Sequence, residues 1–424
     1  MDNNCYICDL LACMKPVGRI LTFAAILVLA ASCGGKSTGG PVPEPSVLLR
    51  AVPSDALCVG LYNRLDKGLP QVLDSTDVLR SFDYGRLSHS KAAVAICDLG
   101  SLLPLVIIEA GKHAPDTSAA VQSVMALADS SRLSKAYVPL GSHDVLIISP
   151  SETVITIVRR HLSSESSVLD APDFDRVLQA LPAGDVLICR NSGIPKLFAR
   201  RFSPSFAARA LPFMRDASEW TIFAGDRIIP VQPEAERYFC NFCSSLPEAT
   251  SRLGQVMPDS VTFVLDIPVA SVKQYRRSYE GWLDASVALE PYQRRMDALR
   301  KATGTNPGKW EEGVDIKEAA VVEKDGVRLN MLRTAGSAKQ DGVAVNPYTG
   351  FARALYGEDF NPADSCMIRR GNWIISGPRA ALMNYQPATE KTRSWPSRAR
   401  IALQTPQLRV VWTNENIRLW DSNR

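Results

Sequence analysis

Histidine is scarce in this chain: four residues in 424, His89, His113, His143 and His161. No two of them stand at a metal-ligand spacing such as H-E-x-x-H, so a helical zinc-hydrolase motif is excluded and each reads as a surface or turn residue. Acyl-transfer motifs are missing as well. No strand-to-helix G-x-S-x-G elbow is present, and Ser88-His89-Ser90-Lys91 fits S-x-x-K with no K-T-G after it. Charge of one sign is also lacking. Lys and Arg number 48 against 44 Asp and Glu, a net +4 that gives no electrostatic case for nucleic acid. The only long apolar run, Ile20 to Ala31, is too short to span a bilayer.

What is present begins with that run. Met14-Lys15-Pro16-Val17-Gly18-Arg19 precedes it as a positive n-region, and Leu29-Ala30-Ala31-Ser32-Cys33 ends it with small residues before a cysteine. The ending resembles the lipobox of bacterial lipoproteins, with its leucine one position early. That resemblance implies cleavage before Cys33 and lipidation of its thiol. Residues 1–13 carry Asp2 and Asp9 where an n-region is positive, so translation is expected to start at Met14. Gly34 to Pro45 is rich in Gly and Pro and reads as a flexible tether. Its Gly35-Lys36-Ser37 lacks the first glycine of a Walker A loop, since Ala30 stands there.

The chain is 46% hydrophobic and 22% charged, a composition that folds. Compared with itself it yields four matches in the same order. Ala51 to Val59 resembles Val256 to Val264, a Pro/Asp turn feeding a strand. Lys91 to Ile96, a turn at Asp98-Leu99-Gly100 and Leu102 to Gly111 match Lys317 to Val322, a turn at Asp325-Gly326 and Val327 to Gly336. Both read as β-hairpins. Asp144 to Ser149 matches Gly371 to Ser376, each strand running into a helix. Ser149-Pro150-Ser151-Glu152 has the form of a capping box, and Ser376 is the corresponding cap. Last, Val177 to Pro182 and the strand Val186 to Cys189 match Ile401 to Pro406 and the strand Val410 to Trp412. The first match lies closer than the others, which places an insertion of about twenty residues between Val264 and Lys317.

These matches predict an α+β fold of two tandemly duplicated modules with mainly antiparallel sheets and packed helices. The expected divisions are a signal peptide at 1–33, the tether at 34–45, module one at 46–197, a connector with a hairpin at 198–250, and module two at 251–424. The hairpin runs from Trp220 to Ile229 with its turn at Gly225-Asp226, and the connector is expected to pack on module one. In the inserted segment Tyr275, Tyr279 and Trp282, and then Tyr292, Met296 and Leu299, share helix faces expected to bury against a sheet.

The Pro/Asp strand starts, the strand-Ser-Pro-helix unit, Ile316-Lys317-Glu318, Leu355-Tyr356-Gly357 and Trp373-Ile374-Ile375-Ser376 resemble a family of uncharacterised tandem-module lipoproteins of the Bacteroidetes. The resemblance covers most of the mature chain and implies an envelope address with no known activity.

Six cysteines follow Cys33. Cys58, Cys97, Cys189 and Cys366 lie in or beside expected strands and read as small buried hydrophobes. Cys240-Asn241-Phe242-Cys243 is a C-x-x-C without a thioredoxin-like setting or two further zinc ligands. The sequence therefore points to lipidation at Cys33 and to no catalytic, cofactor or metal site. It predicts a non-enzymatic binding or structural role, the alternative being an enzyme with its site between the modules. Expected partners are the membrane, through the lipid on Cys33, and an envelope protein or glycan. Gly34 to Thr38 lack the acidic pair that follows a lysine in the surface-export signals of similar Bacteroidetes lipoproteins, so the resemblance implies the outer membrane, facing the periplasm.

Overall fold

The computed structural model describes residues 46–67, 77–111, 119–140, 143–197, 215–224, 227–259, 261–337, 342–388, 408–413 and 418–422. Cys33, the signal, the tether, His113, residues 198–214 and Ile401 to Pro406 lie outside the described residues. The fold is α+β, and the chain divides into two compact units, each built on an antiparallel sheet.

In the first sheet the strands are β1 (Cys58–Tyr62), β2 (Ala92–Asp98), β3 (Leu102–Gly111), β4 (Ser134–Leu140), β5 (His143–Ser149), β6 (Val186–Arg190), β7 (Trp220–Ala224) and β8 (Arg227–Pro230). Their order across the sheet is β4-β5-β3-β2-β1-β6-β7-β8. The longer helices described in this unit are α1 (Ala119–Ser130), α2 (Glu152–Ser163) and α3 (Phe174–Ala180). Strands β2, β3 and β5 are buried on both faces and read as near-continuous apolar runs. On one face Val94, Val106 and Ile148 pack with Val121, Val124 and Ala128 of α1, a stripe at the helical spacing of i, i+3 and i+7.

The second sheet holds β9 (Phe263–Pro268), β10 (Ile316–Lys324), β11 (Val327–Thr334), β12 (Ala344–Val345), β13 (Cys366–Arg370), β14 (Trp373–Gly377), β15 (Leu408–Thr413) and β16 (Arg418–Ser422). The order is β12-β13-β14-β11-β10-β9-β16-β15. Its helices are α4 (Phe239–Ser245), α5 (Val272–Ala285), α6 (Leu289–Thr303), α7 (Pro307–Val314), α8 (Phe351–Tyr356) and α9 (Arg379–Met383). Asp325 and Gly326 both hold positive φ, so β10 and β11 close through the mirror-image two-residue turn that strand twist favours.

Five consecutive strands of each sheet follow one plan, β4-β5-β3-β2-β1 and β13-β14-β11-β10-β9. Two registers agree residue for residue with the sequence matches. Ala93 faces Ile107, which faces Ile147; their counterparts Ala319, Leu332 and Ile374 face one another in the same way. The β1–β2 register does not carry over. Val59 faces Ala95, whereas its match Val264 faces Val322, one residue further along. The fourth match fails on place: β16 lies beside β9 as β6 lies beside β1, and β15, which contains Val410 to Trp412, is one strand further out.

Both expected serine caps are strand residues. Ser149 is fully buried at the end of β5 and donates to the Pro104 carbonyl at 2.8 Å. Helix α2 starts after Ser151 and runs on to Ser163. Ser376 is likewise buried within β14, and α9 starts after Pro378. The Ser149 hydroxyl also accepts from Ser151 N–H at 3.2 Å, so it serves both the sheet and the chain just ahead of the helix without occupying the cap position. The segment between the modules is shared out: β7 pairs with β6, and α4 packs its Phe242 ring on Tyr275 and Tyr279 of α5.

Candidate functional site

Among the described residues the histidines form no centre. His89 is exposed beside the surface pair Arg64–Asp66, 2.7 Å from Arg64 Nη2 and 3.2 Å from Asp66 Oδ2. His143 Nε2 lies 3.4 Å from Glu109 Oε1, on the neighbouring strand, and His161 is half-buried on α2. Ser88 sits in the short turn Gly85–His89 and Lys91 is exposed before β2, so no Ser-Lys pair is assembled. Among the described residues no three His, Cys, Asp or Glu side chains are placed to hold a metal ion.

Burial of the cysteines agrees with their reading as apolar residues, with Cys366 only half-buried. Two of them are brought together in a way the sequence did not show. Cys58 on β1 and Cys189 on β6 stand directly opposite each other in the antiparallel register. Burial pushes the Cys189 thiol well above the usual range and holds Cys97 up to about 12. In α4, Cys240 and Cys243 are both buried, and burial also raises Cys243. A redox C-x-x-C needs a lowered thiol, so this pair is poorly placed for exchange chemistry.

A group of buried ionisable side chains lies where α5, α7 and α8 meet. Helix α5 starts at Ser271, whose hydroxyl accepts from Gln274 N–H; α7 starts at Asn306, which accepts from Lys309 N–H, with Pro307 at the first helical position. From α5, Arg276 donates Nη2 to Glu311 Oε2 and to the Gly308 carbonyl, each at 2.6 Å, and Nη1 to Glu312 Oε1 at 2.7 Å. Tyr356 of α8 donates its hydroxyl to Glu311 Oε1 at 2.6 Å. Glu311 is 1% exposed. Burial pushes its carboxyl above the ordinary range against the pull of Tyr356 and Arg276.

Aromatic rings surround this group and account for its burial. Tyr275 stacks on Tyr279 and packs against Phe242 and Tyr356, while Tyr279 meets Tyr292. Trp282 is half-buried on Phe239 and donates to the Arg237 carbonyl at 2.9 Å. The aromatic stripe of α5 thus packs on other helices of its own unit. Both Glu311 oxygens are occupied by donors from neighbouring helices, so the group clamps three helices and presents no idle acid or base.

A second buried network fixes the chain between β12 and β13. Asp364 Oδ1 accepts from Gly350 N–H at 2.8 Å and its Oδ2 from Asn330 Nδ2 at 3.2 Å; Asn346 Nδ2 donates to the Asp364 carbonyl at 2.7 Å. Asn330 Oδ1 in turn accepts from Asn361 N–H at 2.8 Å. Desolvation raises the Asp364 carboxyl, against the pull of the Gly350 and Asn330 donors. Neither network was visible in the sequence, because Arg276, Glu311, Asn330 and Asp364 belong to no spaced motif.

No family model, curated protein or solved structure matches this chain.

Proposed function

We propose that this protein is a lipoprotein of the bacterial cell envelope, lipidated at Cys33, whose folded body serves a binding or structural role and catalyses no reaction. The observation that carries the reading is the order of positive residues, apolar run, small residues and cysteine from Met14 to Cys33. The body supports its second half. Four of the five buried acids among the described residues, Asp144, Glu311, Glu318 and Asp364, accept hydrogen bonds from their own unit, whereas an active site keeps polar groups poised for a substrate. No helix among the described residues is long and apolar enough to cross a membrane.

The body is further proposed to have arisen by tandem duplication, a reading supported by the shared strand plan and the two conserved registers. The likeness of its strand and turn motifs to tandem-module lipoproteins of the Bacteroidetes agrees with the same envelope address. The outer membrane, facing the periplasm, is the proposed location, with an envelope protein or glycan as the partner.

Growth with an alkyne-bearing palmitate analogue tests the anchor. The native chain is expected to take up the label and to partition into detergent, and Cys33→Ala to lose both. Undiminished labelling of Cys33→Ala rejects lipidation at that residue. Protease shaving of intact cells tests orientation, a protected body being the expected outcome.

A further inference from the structure

We propose that Cys58 and Cys189 form an oxidation site, a dithiol that closes as a cross-strand disulfide and ties β6 to β1 in the first sheet. The two residues are direct partners in the antiparallel register. Continuing the register places Leu57 opposite Arg190, whose N–H donates to the Leu57 carbonyl at 2.9 Å while the Leu57 N–H donates to Ile96 on β2. Opposed pairs alternate along an antiparallel ladder between hydrogen-bonded and non-hydrogen-bonded, so Cys58 and Cys189 occupy the non-hydrogen-bonded place. There the Cα atoms approach to about 4.5 Å and the side chains come closest, inside the separation a disulfide spans.

The third cysteine nearby is excluded by the pleat. Cys58 faces Ile96 on β2, so those two side chains share a sheet face. Cys97 is the next residue along and points to the other face. On the face of the pair, Cys58, Gly60 and Tyr62 alternate along β1. A Cβ on Gly60 would lie 2.5 Å from the Tyr62 ring, so the ring folds back along the strand over the glycine towards the cysteines. With Cys58 1% and Cys189 0% exposed, a dissolved oxidant has little access once the sheet has closed. The bond therefore forms as β6 docks on β1 during folding.

The chemistry is two thiol–disulfide exchanges with a disulfide oxidant, either a small-molecule disulfide or a disulfide-bearing oxidoreductase. One cysteine, as its thiolate, attacks a sulfur of the oxidant, breaks its S–S bond and releases one thiol. The other cysteine gives up its proton and attacks the mixed disulfide, releasing the second thiol. Two electrons and two protons leave the pair and reduce the oxidant to two thiols. The inference needs only such an oxidant during folding and does not rest on lipidation at Cys33.

To test it, the full chain is refolded from denaturant in a mixture of reduced and oxidised glutathione, quenched with N-ethylmaleimide under denaturing conditions and digested without reduction. Mass spectrometry of the folded fraction, identified by circular dichroism, is expected to find one peptide pair joined through Cys58 and Cys189. That pair should carry two hydrogens fewer than the separate peptides, with Cys97 alkylated. Cys97→Ala should give the same linked pair. A folded fraction in which Cys58 and Cys189 both carry the maleimide overturns the proposal, and so does a link from Cys58 to Cys97.

Discussion

Glu318 and Arg333 face each other across β10 and β11, joined at 2.9 Å between Oε2 and Nε. Their counterparts in the first sheet, Ala92 and Ile108, also face each other. One module thus holds an ion pair where the other holds two apolar side chains. The difference follows from what Glu318 must serve. Its carboxylate accepts from Ser251 Oγ and from the backbone N–H groups of Arg252 and Leu253, between 2.8 and 3.0 Å, at the start of the short turn Leu253–Gln255.

Glu318→Ala strips the acceptor from those donors and leaves Arg333 unpaired. It is expected to destabilise the second unit by about 3 to 5 kcal/mol in chemical denaturation. Glu318→Ala combined with Arg333→Ile copies the first sheet and should cost less than the single change. A double variant at least as unstable as Glu318→Ala would show that the pair is not the source of the loss.

Val287 follows the last turn of α5 with φ +61° and is exposed. Its N–H donates to the Asp284 carbonyl and Ala288 N–H to that of Leu283, the two bonds of a left-handed helix terminus that glycine normally occupies. A β-branched residue is strained there. Val287→Gly is therefore expected to stabilise the protein by about 1 kcal/mol, read as a higher denaturation midpoint at unchanged slope.

Gly308 lies under the guanidinium of Arg276, where an added Cβ would stand 2.9 Å from Cζ and Nη1. Alanine improves helix propensity by up to about 1 kcal/mol, but three acceptors fix the guanidinium and resist its displacement. A net loss of about 1 to 2 kcal/mol is expected for Gly308→Ala. In an Arg276→Ala background the same substitution should become neutral or stabilising, a sign change that a thermodynamic cycle measures directly.

Burial raises the Asp364 carboxyl, so the folded chain holds its proton more tightly than the unfolded chain does. The stability this group contributes is full below the ordinary aspartate range and declines as pH rises through the raised value. Asp364→Asn places a donor against Asn330 Nδ2 or Gly350 N–H and should cost about 1 to 3 kcal/mol. Its stability should also lose this downward slope with rising pH. Denaturation midpoints of the two proteins from pH 4 to pH 7 are expected to converge; parallel profiles would argue against a raised Asp364.

Local chemistry made much of the fold legible. Asp325-Gly326 marked the tightest turn, alternating and continuous apolar runs marked β2, β3 and β5, and the tyrosine spacing of α5 marked its buried face. Where two local patterns competed, burial decided. Ser149-Pro150-Ser151-Glu152 satisfies a capping rule, yet Ser149 ends a buried strand and gives its hydroxyl to Pro104. Val410 to Trp412 reads as a buried strand as readily as Val186 to Cys189, and only strand pairing shows that β16 takes the place beside β9. Contacts between distant segments leave no such trace. Nothing around Cys58 announces Cys189, and nothing around Arg276 announces Glu311, because each pair is created by the register or packing of elements far apart in sequence.

Pro268 and Glu318 are direct partners on adjacent strands, although α5, α6 and α7 all lie between them in the chain. Opposed residues of an antiparallel pair stand about 5 Å apart, so the sheet clamps both ends of that helical excursion at a fixed separation. In the first sheet Tyr62 and Ala92 hold the shorter β1–β2 excursion in the same manner. The connection is in effect a socket. The strands set the spacing of its terminals, and chains of different length are fitted between them in the two sheets, with the ladder shifted by one residue.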